Sequence, residues 1–156
     1  MTVRFFILQA HYRSPLDFSN EALKAAQKGY ERLMSAVNQL NKLKPSIENT
    51  VDVDSLIKEC FEALNDDLNT PILISHLFDG VRIINSISAG HEKINTENLD
   101  KLKKLYQDIV IDILGLKSEE DSGASNQALD KVIEAMMNVR KVARQNKDWA
   151  TSDQIR

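Results

Sequence analysis

Cysteine is nearly absent from this 156-residue chain: Cys60 is the single one, so no intramolecular disulfide can close and no multi-cysteine metal site can be built. It sits in the apolar series Leu56, Ile57, Cys60, Phe61, Leu64, where a small core residue is expected rather than a reactive thiol. Glycine (five) and proline (three) are also scarce. That removes a phosphate-cradling Gly-rich loop and a nucleophile elbow, both of which need clustered glycines. Strict alternation of polar and apolar residues never lasts more than a few positions, so a strand-built fold is not indicated. No apolar run approaches the roughly 20 residues that span a bilayer. The short "FFIL" near the N-terminus is too brief for the core of a secretory signal, and no small-x-small cleavage site follows it. It reads as part of a buried helix entered midway. Neither sign of charge dominates: 20 Lys and Arg against 23 Asp and Glu give −3. This argues against a general nucleic-acid coat and leaves room for a local basic face. With 42% hydrophobic and 28% charged residues, what remains is an ordinary globular composition of one-domain size.

What the chain does have is helical periodicity. Residues 3–12 resemble a helix end, broken at "YRSPLDF" because the residue before Pro15 is pushed out of the helical region. Ser19 is a natural N-cap for a helix running to about Leu43, with Leu23, Ala26, Tyr30, Leu33, Met34, Val37 and Leu40 on one face. Asp52 or Asp54 caps a third helix through Leu64. A fourth covers about Pro71–Ile87, and a fifth is capped by Thr96 and ended by Gly115. "LKSEEDSGAS" is acidic and rich in small residues, which suits a mobile loop. A sixth helix is expected from about Asn126 to Gln145, and Asp148 looks like the cap of a last one, "WATSDQIR". The sum is an all-α chain, an antiparallel helical bundle with short links.

The stretch "LNDDLNTP" (64–71) sets two acids side by side. Thr70 and Pro71 read as a helix start, and Asp66, Asp67 and Asn69 are turn formers that bond nearby backbone. Adjacent carboxylates rarely address one atom, so a corner is expected here rather than an acid–base pair. His11, His76 and His91 are far apart and match no metal-ligand spacing. No catalytic or metal-ligating residue is assigned. The one suggestive pattern is basic: Arg140, Arg144 and Lys147 share a helix side, Lys141 widens the patch, and Trp149 and Arg156 follow. Cations beside an aromatic can grip phosphate and stack on a base; the plainer reading is a solvated face whose stems cover the core edge. Lys101, Lys103 and Lys104 form a second cluster, read as solvated.

Three stretches together resemble the cysteinyl-tRNA synthetase family: "RFFILQAHYRSPLDFS" (4–19), "FEALNDDLNTP" (61–71) and "RKVARQNKDWATSDQIR" (140–156). Their order and spacing match as well, so the resemblance covers nearly the whole chain; Ser152 stands where the family commonly has Ala. The resemblance implies the helical anticodon-binding bundle of a class I synthetase. Residues 1–18 would end the segment connecting it to the catalytic domain, 19–147 would be the bundle, and 148–156 would start a truncated C-terminal helix. The family's HIGH-like motif, KMSKS-like loop and zinc site are not in this sequence, so the chain is expected to be a piece cut at both ends behind an added Met1.

The full enzyme that it resembles joins cysteine to its tRNA with ATP, in the cytoplasm. The resemblance therefore implies tRNA and the chain's own catalytic domain as partners, with ATP and zinc belonging to that other domain. It makes Arg13, Arg140, Arg144, Lys147 and Trp149 the candidates for RNA contact; Arg13 and Trp149 equally suit a bracing role. Two rivals remain at this point: a domain of the related cysteine:glucosaminyl-inositol ligase, and a helical protein-interaction module with no RNA role, which the net acidity favours.

Overall fold

The computed structural model describes residues 1–117 together with 134, 136–141 and 144. The chain divides into two units, Met1–Lys117 and Ser118–Arg156. In the first unit the helices are α1 (Thr2–Leu8), α2 (Asn20–Leu40), α3 (Val53–Asn65), α4 (Thr70–Ser88) and α5 (Thr96–Tyr106), which continues as a π-helical segment, Gln107–Ile113. No strand occurs among the described residues.

Each start has a chemical cause. Ser19 leaves the helical region and its Oγ accepts from the Ala22 N–H at 3.2 Å; Asp52 accepts from Ser55 N at 3.0 Å. At α4 and α5 the caps are Asn69 and Asn95, one residue earlier than Thr70 and Thr96. Asn outranks Thr as an N-cap, so where the two are adjacent the helix begins one position sooner. At the far end of α4 a 6→1 bond from His91 N to Ser86 O (3.0 Å) and a bond from Gly90 N to Ile87 O (3.0 Å) close a Schellman turn, with Gly90 at φ +78°. α2 stops at Leu40, short of Leu43, because Lys42 N turns back to Gln39 O at 2.9 Å.

The core follows most of the predicted faces, but Phe61 of the α3 series, Ile72 of α4 and Ile113 at the end of the π-helical segment are exposed. Ala26, Tyr30, Leu33, Met34 and Leu40 of α2 are buried, with Leu56 and Cys60 of α3, Leu73, Leu77, Val81 and Ile84 of α4, and Leu99, Leu102, Leu105 and Tyr106 of α5. α1 lays Phe5 over α2, where a Cβ at Gly29 would sit 3.1 Å from the ring. At Gly80 a Cβ would lie 2.5 Å from the Tyr106 hydroxyl and 2.9 Å from Leu56 Cδ2, so only glycine lets α4 accept both neighbours. The same hydroxyl donates to Leu77 O at 2.7 Å, which satisfies the one polar atom that Tyr106 carries into the core.

Two long connections are fastened to each other. Ser46 N donates to Ile94 O (2.7 Å), Thr50 N to Lys93 O (2.9 Å) and Lys93 N to Thr50 Oγ1 (2.9 Å), while Lys93 pairs with Glu48 (2.7 Å). This holds Val51 and Ile94 over the end of the core, both buried. Arg4 Nη1 reaches Gly115 O at 2.8 Å and the Tyr30 hydroxyl donates to Lys117 O, tying α1 and α2 to the residues that follow the π-helical segment.

In the second unit, residues 134, 136–141 and 144 are helical. The expected loop around 117–125 lies outside the described residues beyond Lys117, as does the helix start at Asp148.

Candidate nucleic-acid interface

The helix carrying residues 136–141 brings Arg140, Lys141 and Arg144 together, since positions three and four apart share a side. With Met137 and Asn138 they line a cleft of about 500 Å³. None of the three cations forms an ion pair among the described residues, and the Arg140 Nε is buried without a hydrogen-bond partner. A buried guanidinium N–H with nothing to donate to is costly, and an external acceptor would relieve it. Lys147 and Trp149 lie outside the described residues.

In the first unit Arg13 lies on the segment after α1. Its guanidinium meets Asp67 at 3.0 Å, and Tyr12 donates its hydroxyl to the other oxygen of the same carboxylate at 2.8 Å. That hydrogen bond holds the Tyr12 pKa above its usual value. The Arg13 guanidinium also covers the Tyr12 ring at 5.2 Å, and the His11 ring stacks on Tyr12 with centroids 4.7 Å apart.

The two aspartates of "LNDDLNTP" therefore separate. Asp66 accepts from the Asn69 side chain at 3.1 Å and stays within the corner, whereas Asp67 reaches across 55 positions to Tyr12. Asp67 and Leu68 both take left-handed backbone, φ +54° and +53°.

Other candidate chemistry disperses. Burial, then the charges of Glu59 and Asp79, push the Cys60 thiol up to about 12, which keeps it protonated and inert at neutral pH. His76 Nδ1 lies 3.4 Å from Glu59 and 3.8 Å from Asp79. Among the described residues no group of three or more His, Cys, Asp or Glu is placed to hold a metal ion. Lys101 is held between Glu97 and Asp54, each at 3.0 Å, and these hydrogen bonds, Glu97's first, raise its pKa. Its charge is answered within the bundle, as expected for a solvated face. A depression of about 370 Å³ lined by Asp52, Glu59, Asp79 and Glu92 would repel phosphate. Among the described residues no helix is long and apolar enough to cross a membrane.

Residues 61–118 match the DALR domain family. The whole chain aligns with proteins named cysteine–tRNA ligase: 57% identity over 157 residues in Bacteroides fragilis, 54% over 157 in Parabacteroides distasonis and 37% over 162 in Chlorobaculum tepidum. In each alignment all of this chain is covered, and 32%, 32% and 33% of the relative. The chain thus spans about a third of the length of the curated relatives it matches.

Proposed function

We propose, from the premise that the chain belongs to the cysteine–tRNA ligase family as a segment about a third as long as its relatives, that it is the helical anticodon-binding domain of an enzyme that attaches cysteine to its tRNA with ATP. The domain performs no bond-making step. It grips the RNA and so fixes the acceptor end at a distant catalytic domain of the same protein, contributing through orientation. Translation in the cytoplasm is the setting.

The supporting observation is the cleft of Arg140, Lys141 and Arg144, three cations without a carboxylate partner among the described residues and one of them with a buried, unpaired N–H. Such donors suit phosphate oxygens, which position a nucleic acid without reading its sequence. Lys147 and Trp149 are proposed as further RNA contacts, and so is Arg13 in the first unit, which at the same time braces its own segment through Asp67.

The residues described here do not fit zinc or ATP. The lone thiol is buried and protonated, no three-ligand group exists among the described residues, and the sequence has no Gly-rich phosphate loop. Both groups are assigned to the remainder of the full-length enzyme, and no step is routed through this domain. The relatives named above are all tRNA ligases, which favours this reading over the glucosaminyl-inositol ligase.

The test is Arg140→Glu with Arg144→Glu in the full-length enzyme. Aminoacylation of tRNA falls while cysteine-dependent ATP–pyrophosphate exchange persists. Equal loss of both activities, with an unchanged melting curve, would overturn the proposal.

A further inference from the structure

We propose that His11, Tyr12 and Arg13 form a stacking platform for an unpaired nucleobase of the bound RNA, with Asp67 as the residue that positions it; the proposal rests on the tRNA-binding reading above. Three flat π-systems from consecutive residues are arranged together. The imidazole and phenol rings stack at 4.7 Å and 25°, and the guanidinium carbon lies 5.2 Å from the phenol centroid. Aromatic rings and guanidinium planes of this kind are what proteins offer to splayed-out bases.

The stack is held rather than left to rotate. One carboxylate, Asp67, uses both oxygens on it: Oδ1 accepts from the Tyr12 hydroxyl and Oδ2 faces the Arg13 guanidinium. The Arg13 backbone N–H donates to His11 Nδ1 at 3.3 Å. A carboxylate committed to both neighbours removes rotamer freedom that a bound base would otherwise have to freeze.

The arrangement returns little to folding. Tyr12 is 63% exposed, and the Arg13 and Asp67 side chains are 69% and 47% exposed. Ion pairs so open to water contribute little stability. Yet Asp67 and the following Leu68 both hold left-handed backbone, an unfavourable conformation for residues with a Cβ. That turn closes α3 through Leu68 N on Leu64 O at 3.2 Å and Asn69 N on Ala63 O at 3.0 Å, and it carries Asp67 out to the stack. Because Asp67 balances the charge of Arg13, the contact is made by stacking. This sets it apart from the cleft at Arg140, whose grip is electrostatic.

The two modes respond differently to salt, which gives the test. In the full-length enzyme, binding of the cysteine-accepting tRNA is titrated over a range of salt for Tyr12→Ala, Tyr12→Phe and Arg140→Glu/Arg144→Glu. Tyr12→Ala weakens binding roughly 5- to 150-fold, the range for losing one stacked base. It leaves the salt slope and the ATP–pyrophosphate exchange unchanged, and Tyr12→Phe restores most of the affinity. Unchanged affinity in Tyr12→Ala, while the double arginine variant still loses binding, overturns the platform and spares the tRNA reading. Loss of exchange in parallel with tRNA binding overturns it too, and assigns the stack to contact with the rest of the protein. Loss of effect in the arginine variant as well would overturn the reading on which the platform rests.

Discussion

Gly80→Ala inverts an ordinary rule. In the middle of a helix, alanine is favoured over glycine by about 1 kcal/mol, so propensity alone predicts a more stable protein. In α4 the new methyl would lie 2.5 Å from the Tyr106 hydroxyl and 2.9 Å from Leu56 Cδ2. Neither neighbour yields easily, because both are buried and the hydroxyl is bonded to Leu77 O at 2.7 Å. Overpacking of this kind costs about 1–3 kcal/mol, and pulling a buried hydroxyl from its acceptor costs roughly 1–3 kcal/mol more. After the propensity gain, a net loss of about 1–5 kcal/mol is expected, a fall in Tm of roughly 2–20 °C for a chain of this size. Thermal unfolding followed by helical circular dichroism measures it. Repeating the substitution in a Tyr106→Phe background removes the nearest obstacle and leaves the Leu56 methyl, so the penalty should shrink by at least about 0.5 kcal/mol. An unchanged or raised Tm for Gly80→Ala would refute the packing argument, and strict additivity with Tyr106→Phe would refute the role given to the hydroxyl.

The same burial makes the fold sensitive to alkali. Cys60 is held protonated up to about 12 against an ordinary value of 9.0, and burial likewise raises Tyr106, so the unfolded chain loses these protons first. Stability is therefore full below about pH 9 and declines from there towards pH 12. Denaturant midpoints at pH 8 and pH 10.5 check the sign, and Cys60→Ala should flatten the decline. At pH 7.5 the folded chain should resist thiol reagents and react on unfolding; fast labelling of the native state would contradict the inert assignment. Asn69→Ala should cost about 1 kcal/mol through loss of the α4 cap, and Thr70→Ala clearly less; the opposite ranking would return the cap to Thr70.

Much of the bundle was legible because the apolar spacing of α2 to α5 is regular and each helix begins with a polar cap. Where Asn and Thr adjoin, at 69–70 and 95–96, the pattern shows that a helix starts but not which residue caps it. The π-helical close, Gln107–Ile113, was not legible: one widened turn leaves Ile109, Val110 and Ile113 looking like a continued α-helical stripe. Long-range polar pairing was invisible for a different reason. Local turn chemistry already accounts for "LNDDLNTP", so nothing in those residues points to Tyr12, 55 positions from Asp67, or to its neighbour Arg13. The fastening of Ser46 and Thr50 to 93–94 is hidden likewise, since backbone bonds leave no mark on side-chain pattern. The basic cluster at Arg140 and Arg144 was readable from its spacing of four, whereas the unpaired Nε of Arg140 required coordinates.

Salt dependence addresses the central claim most directly. Cysteine-accepting tRNA is titrated against the full-length enzyme at two ionic strengths, with Arg140 and Arg144 intact and with both changed to Glu. Steep weakening with added salt is expected, with a slope shallower in the variant by about 1.4–1.8, from roughly 0.7–0.9 per lost phosphate contact. Binding that ignores salt, or a slope identical in the two proteins, would contradict it.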